Sequence, residues 1–249
     1  MLYYLIRVLK IGFFWIDFVL LTSVLLLLSY IPFKKRDKFY PKLFRLWCKA
    51  FVRALNVDLK LHQKNRLPLP KQYILIANHP SAFEDIGVPA LFDVHSLAKH
   101  EVRHWPVFGA ISTAAGTLYV NRDSKESRAE AARQIAEDLA KGKNIALYPE
   151  GGCKGKRIFE TFRYGAFDIS LNTGIPILPV FLHYEAQDDF VWVDPYTLVD
   201  KMWHFITSKN NRANYYVFDA LNPADFTNKE EYMVHAHGLY LSWQKKYLE

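Results

Sequence analysis

The apolar positions of this chain fall into two regimes. Residues 11–33 are apolar almost without interruption, with Asp17 the one charge among them. A run of that length can cross a bilayer or lie embedded in one leaflet. Lys34, Lys35 and Arg36 follow it and outweigh Arg7 and Lys10 on the other flank, which places the bulk of the chain on the cytoplasmic side. A cleaved signal peptide fits less well, because the run is long and no small-residue cleavage site precedes the basic cluster. Asp17 is costly where it faces lipid, so it is expected to be neutral or near an interface.

Helical periodicity then takes over in residues 40–55. Lys42, Arg45, Lys49 and Arg53 recur three and four apart, while Leu43, Leu46, Trp47, Ala50, Phe51, Ala54 and Leu55 cover the other side. This pattern predicts a basic amphipathic helix lying on an anionic membrane surface. The alternative is a helix packed on the rest of the protein with its charges in water. From Val57 onward, short apolar runs alternate with helical segments. Strands are expected at 57–61, 73–78, 116–121, 144–149, 177–183 and 214–219. Helices are expected at 124–141, with Ser124 as N-cap and Gly142 as stop, and near 84–92, 163–173 and 228–247. The fold class expected is α/β: a single domain over residues 57–249, with a mixed central sheet flanked by helices. Residues 1–56 precede it as a membrane-anchoring helix and the amphipathic helix. A chain of 249 residues leaves little for a second domain.

Composition narrows the class of partner. The formal net charge of +7 calls for something anionic. No nucleic-acid recognition motif is present, so a membrane surface, a phosphorylated substrate or an acidic acyl carrier accounts for the charge with fewer assumptions. Cys48 and Cys153 form neither a disulfide framework nor a metal-ligand spacing, which fits a reducing compartment.

The candidate chemistry begins at Asn78-His79-Pro80-Ser81-Ala82-Phe83-Glu84-Asp85, directly after the apolar run 73–77. A histidine at a strand end with a carboxylate six residues on can form a base and its orienting partner. The same spacing also suits a loop histidine followed by a helix N-cap. A competing motif is His100-Glu101-Val102-Arg103-His104, the H-E-x-x-H spelling of zinc-protease helices. Trp105-Pro106 follows at once and biases the chain away from helix, and no third ligand signature follows. No metal is therefore expected, and the two histidines are read as surface or pocket-rim residues.

Five segments in order resemble the glycerolipid acyltransferase family of the 1-acyl-glycerol-3-phosphate acyltransferase type. They are Asn78-His79 to Asp85; Leu97-Ala98-Lys99 with Pro106-Val107-Phe108-Gly109; Gly116-Thr117-Leu118-Tyr119-Val120-Asn121-Arg122; Tyr148-Pro149-Glu150-Gly151-Gly152; and Ile175-Pro176-Ile177-Leu178-Pro179-Val180. The resemblance spans residues 57 to about 185. It implies a membrane-associated O-acyltransferase moving an acyl chain from coenzyme A or acyl carrier protein to a lysophospholipid, with no cofactor. The implied acceptor is 1-acyl-sn-glycerol-3-phosphate, and the catalytic domain lies on the cytoplasmic face. It implies His79 as the base and Asp85 as its partner, by the family variant written N-H-P-N-S-F-x-D. The commoner four-residue spacing puts Glu84 at that position instead. Arg122, Glu150, Gly151 and Lys99 are implied in substrate binding, and Lys154, Lys156 and Arg157 are candidate phosphate or carrier contacts. Gly152 stands where the family usually has threonine, which keeps open another lysolipid, such as a lyso-amino-acid lipid, as acceptor. A catalytically silent membrane-binding protein is the alternative outside the enzyme class.

Overall fold

The central strand is among the most apolar segments of the chain, and the sheet is ordered around it. The computed structural model describes residues 2–30, 36–193 and 195–249. Seven strands form one sheet: β1 (Asp58–Gln63), β2 (Ile74–Ala77), β3 (His95–Lys99), β4 (Leu118–Val120), β5 (Ile145–Leu147), β6 (Ile177–Tyr184) and β7 (Arg212–Val217). Their order is β1-β7-β6-β2-β5-β3-β4, parallel throughout except for the antiparallel pair β6–β7. The mixed sheet expected from the sequence is therefore present. Both faces are covered, which is why β2 and β5 read as continuous apolar runs rather than alternating ones.

The helices are α1 (Leu2–Tyr30), α2 (Arg36–Ala54), α3 (Glu84–Leu91), α4 (Phe108–Ala114), α5 (Lys125–Ala140), α6 (Gly165–Thr173), α7 (Gln187–Phe190), α8 (Leu198–Thr207) and α9 (Lys229–Tyr247). Alternate residues of β2 feed two cores. Leu75 and Ala77 join α1 to α4 and α8 on one face, whereas Ile74 and Ile76 join α5, α6 and α9 on the other. β3, α4, α7 and α8 lie outside the elements expected from the sequence.

α1 carries a stretch, Val8–Tyr30, long and apolar enough to cross a membrane. Leu9, Phe13, Ile16, Leu20 and Leu27 are 62–69% exposed along it. The basic flank Lys34-Lys35 lies outside the described residues, as do residues 31–33 at the end of the apolar run. The expectation that α2 rests its apolar face on lipid needs correction, because that face is covered by protein. Phe18 stacks on Phe51 at 4.4 Å, Trp47 packs edge-on to Phe108 at 5.6 Å, and the Trp47 indole donates to Thr22 Oγ1 at 2.8 Å. Leu46, 51% exposed, is the exception. Asp17 is accounted for by the same packing: it pairs with Arg53 at 3.3 Å. Arg45 faces Asp93 at 3.8 Å, and Lys42, Lys49 and Arg53 are the exposed part of the stripe.

Candidate active site

The loop after β2 is held by its own side chains. Asn78 uses both ends of its amide on one backbone position: it donates to the Leu182 carbonyl at 3.0 Å and accepts the Leu182 N–H at 2.7 Å. This extends the β2–β6 pairing past the end of the strand and fixes the residue that follows. The His79 N–H then donates to Glu150 Oε2 at 3.2 Å, and its ring stacks on Tyr148 at 4.2 Å. The imidazole is thus clamped before any ionisable partner is considered.

That partner is Glu84. Its Oε2 lies 3.3 Å from His79 Nδ1, while Oε1 accepts the Ser81 N–H at 3.1 Å and the Tyr184 hydroxyl at 2.7 Å. Glu84 is fully buried and His79 is 6% exposed. Asp85, expected as the orienting carboxylate, is corrected here: it makes no bond to the imidazole. Glu84 opens α3, and the next residue is rotated about 100° around a helix. Asp85 therefore turns out toward a cavity of about 110 Å³ lined by Phe44, Trp47, Phe108 and Trp192. A local signal for Glu84 was present in the sequence. Ser81-x-x-Glu84 has the spacing of a capping box, in which the carboxylate reaches back to the serine N–H.

Because Nδ1 faces a carboxylate, it carries the proton, and Nε2 is left as the acceptor. Burial alone would lower the affinity of His79 for a second proton. Its contacts with Cys153 and Glu84 overcome this and hold the imidazole well above its ordinary value. Cys153 Sγ lies 3.8 Å from Nε2, so this residue stands where a substrate hydroxyl would approach. Glu150 is 2% exposed, and burial pushes its carboxyl up to about 7 against the pull of the His79 and Phe159 N–H groups.

Arg122 reaches the same loop, donating to the Gly151 carbonyl at 2.7 Å. The two glycines there make space for arginines. A Cβ on Gly151 would come within 2.1 Å of Arg163 Nε, and one on Gly152 within 3.0 Å of Arg122 Nη1. Both have positive φ, at 77° and 154°. Arg122, Glu150 and Gly151 thus gather beside His79. Lys99 does not join them: it pairs with Glu101 at 3.1 Å on the surface, 57% exposed. Lys156 pairs with Asp188 and Arg157 lies 3.9 Å from Glu249, while Lys154 sits over the Phe159 ring. Residues 100–104 form a short 3-10 helix, not the α-helix that H-E-x-x-H ligation uses. Among the described residues no group of three or more His, Cys, Asp or Glu is placed to hold a metal ion.

A buried His–Glu pair at a strand end, with an arginine and a glycine-rich turn beside it, is able to take a proton from a hydroxyl brought to Nε2. The sequence model of the family described as Acyltransferase matches residues 58–183, and the chain belongs to that family. It is 29% identical over 139 residues to "1-acyl-sn-glycerol-3-phosphate acyltransferase" of Neisseria gonorrhoeae, covering 55% of this chain and 53% of that one. It is 31% identical over 160 residues to "Lyso-ornithine lipid O-acyltransferase" of Pseudomonas aeruginosa, covering 61% and 60%. The chain thus spans between half and three-fifths of the length of these curated relatives. The crystal structure of the 1-acyl-sn-glycerophosphate acyltransferase PlsC from Thermotoga maritima superposes with a TM-score of 0.66 over 97% of this chain and 96% of that one. At 18% identity this likeness establishes the fold.

Proposed function

We propose that this protein is a membrane-associated O-acyltransferase that moves an acyl chain from a thioester to the free hydroxyl of a lysophospholipid. The observation that carries this reading is the state of His79. Its ring is clamped by Tyr148 and Glu84, which leaves Nε2 turned toward the loop that holds Arg122. Nε2 takes the proton of the acceptor hydroxyl as the oxygen attacks the thioester carbonyl, and the donor's sulfur leaves as the thiol. Glu84 keeps the tautomer and stabilises the imidazolium that forms. Base catalysis of this kind contributes roughly 10²–10⁴-fold. Cys153 need not act as a nucleophile, since the donor is already a thioester and the base serves the hydroxyl directly.

Arg122 offers a planar fork for the acceptor's phosphate, and 1-acyl-sn-glycerol-3-phosphate is the acceptor proposed. The relative named for lyso-ornithine lipid, together with Gly152, supports a second reading in which a lyso-amino-acid lipid is acylated. The exposed apolar surface of α1 supports membrane association, and the basic cluster that follows it in the sequence supports a catalytic domain on the cytoplasmic face. The donor is coenzyme A- or carrier protein-linked, and no further cofactor enters. The test is an acyl-transfer assay in detergent with labelled thioester and a panel of lysolipids, read by product mass. Transfer to the phosphate-bearing lysolipid is expected. Transfer to the ornithine lipid alone selects the second reading, and no transfer to any member removes both.

A further inference from the structure

We infer that the outer edge of α8, carried by Val199 and Trp203, is a second contact with the lipid bilayer, seated beside α1 at the boundary between head groups and acyl chains. At about 100° per residue, Phe205, Leu198, Met202, Ile206, Val199 and Trp203 follow one another around less than half of the helix. The protein covers only one side of that arc. Phe205 is buried, Leu198 and Met202 line the aromatic cavity into which Asp85 points, and Val199 and Trp203 are 73% and 64% exposed. Beyond Phe205 the covered side runs on to Lys201, which is fully buried, its ammonium 3.5 Å from His204 Nδ1 and 5.2 Å from the centre of the Tyr196 ring. α8 thus buries its lysine and turns a tryptophan and a valine outward, the reverse of what water on that side favours. An apolar medium against Val199 and Trp203 removes the contradiction.

The surroundings of α8 point to a bilayer as that medium. The chain leaving the C-terminal end of α8 meets α1 in one cleft, lined by Ser208 and Lys209 on one side and by Lys10 and Phe14 on the other. At the far end of α1, Tyr30 shares a second cleft with Trp105, and Trp105 lines the aromatic cavity together with Leu198 and Met202. The outer surfaces of α8 and α1 are therefore linked at two points, and one lipid surface can meet both. Lys10, Arg103 and Lys209 are exposed along these clefts and lie beyond ion-pair distance of any carboxylate among the described residues. Asp58, which also lines the first cleft, is engaged by Lys60 and Arg212. Cations without acid partners beside an apolar edge match the negative head groups of an anionic leaflet. Tryptophan is a side chain enriched at that boundary, where its ring is apolar and its N–H stays wet.

This contact rests on the membrane association proposed above and not on catalysis, so its test needs no turnover. Val199→Cys, Trp203→Cys and, as a reference, Val234→Cys are made singly in the full chain carrying Cys48→Ala and Cys153→Ser. Val234 is 64% exposed on α9, which packs on the opposite face of the sheet. Each protein is labelled with nitrobenzoxadiazole and reconstituted into vesicles of phosphatidylcholine and phosphatidylglycerol, with and without nitroxide-bearing lipid. Labels at 199 and 203 are expected to emit at shorter wavelength than the label at 234 and to be quenched several-fold more strongly by the nitroxide. Equal quenching at the three positions would overturn the proposal. So would a blue shift at 199 and 203 without quenching, because it would put a protein surface, such as a second copy of this chain, over the edge. A label-free measurement guards against an effect of the dye: brominated lipid should quench the tryptophan emission of the otherwise native chain less in Trp203→Phe than in wild type. Unchanged quenching there would overturn the proposal as well. A chain quenched in this way that acylates no lysolipid keeps the α8 contact and removes only the transferase reading.

Discussion

On one face of the sheet, aromatic side chains from α1, α2, α4 and α8 share a core with Phe83 and Tyr184 of the His79–Glu84 site; on the other, small and aliphatic side chains from α5 and α6 leave a cavity rimmed by arginines. On the first face the buried Glu84 is satisfied internally, since it accepts from Ser81 and Tyr184 as well as facing His79. On the second, Arg122, Arg128 and Arg163 lie beyond ion-pair distance of any carboxylate among the described residues. Closed hydrogen bonding fixes a reactive group in one orientation, as a base requires. Unpaired charge at a cavity mouth instead stays available to whatever enters. The difference separates the part of the molecule suited to chemistry from the part suited to recognition.

The sharpest break of that comparison is to disarm the first face. His79→Ala should reduce transfer by ~10²–10⁴-fold while the melting midpoint stays near wild type. Glu84→Gln should approach the same loss, because it no longer stabilises the imidazolium. It should also move the acidic limb of the pH–rate profile downward, since Glu84 helps hold His79 above its ordinary value. Asp85→Asn, altering a residue that points into the aromatic cavity, should cost far less. If the Asp85 change is the more damaging of the two, the pair seen here is not the working one.

Glu150 ties the two faces together, and its titration tests how dry that junction is. Its carboxyl has an ordinary value of 4.5 and is raised by burial to about 7 in the folded protein. Below pH 4.5 both folded and unfolded states hold the proton, and the stability linked to this group is fully present. Between 4.5 and 7 the unfolded state releases its proton first, so stability is lost as pH rises, by about 3 kcal/mol. Glu150→Gln does not titrate. Its melting midpoint should therefore gain on that of wild type as pH climbs through this window and stay level above it. A gap independent of pH would mean that Glu150 ionises as freely when folded as when unfolded.

The elements legible in the sequence were those whose burial is uniform or strictly periodic. β2 and β5 read as apolar runs because both faces are covered, and α5 announced itself through Ser124, which accepts the Ser127 N–H as N-cap. β3 was hidden because His95-Ser-Leu-Ala-Lys99 is half-exposed and has no apolar run to mark it. α8 carried a readable signal in Thr197 and Asp200, which form a capping box, although Lys201 is buried while Val199 and Trp203 are exposed, so its apolar positions do not mark its covered face. For α2 the periodicity was right and its covering was not. An apolar stripe records only that it leaves water, and lipid and protein satisfy that equally. At the site, His79 was legible and its partner ambiguous, because one residue of spacing decides which carboxylate faces inward. Arg163 was out of reach, since what brings it to Arg122 is the fold around Gly151 and not a local pattern, whereas Arg128 reaches the Arg122 carbonyl from six residues on.

Arg122 stands where the two faces meet, so its loss should be felt in binding more than in turnover. Arg122→Ala should raise the acceptor's KM about tenfold with a smaller effect on the donor's. Arg122→Lys should recover part of this, because the ammonium keeps the charge but lacks the planar fork. Equal effects on both substrates would signal damage to the Gly151 turn that Arg122 braces. Wild type using a phosphate-free acceptor equally well would remove the recognition role.

The smallest effect is expected on the outer side of the first face, at Lys42 and Lys49. Their neighbours in the stripe, Arg45 and Arg53, are engaged by Asp93 and Asp17, and the apolar side of α2 is buried against α1, α3 and α4. Reversing both lysines to glutamate should move Tm by no more than about 2 °C, as for other solvated surface positions. If α1 supplies most of the membrane affinity, the same variant should still sediment with anionic vesicles, with only a modest loss at low salt. Release of the full chain from vesicles by these two changes alone would mean that the stripe on α2, rather than the exposed apolar surface of α1, is the main membrane contact.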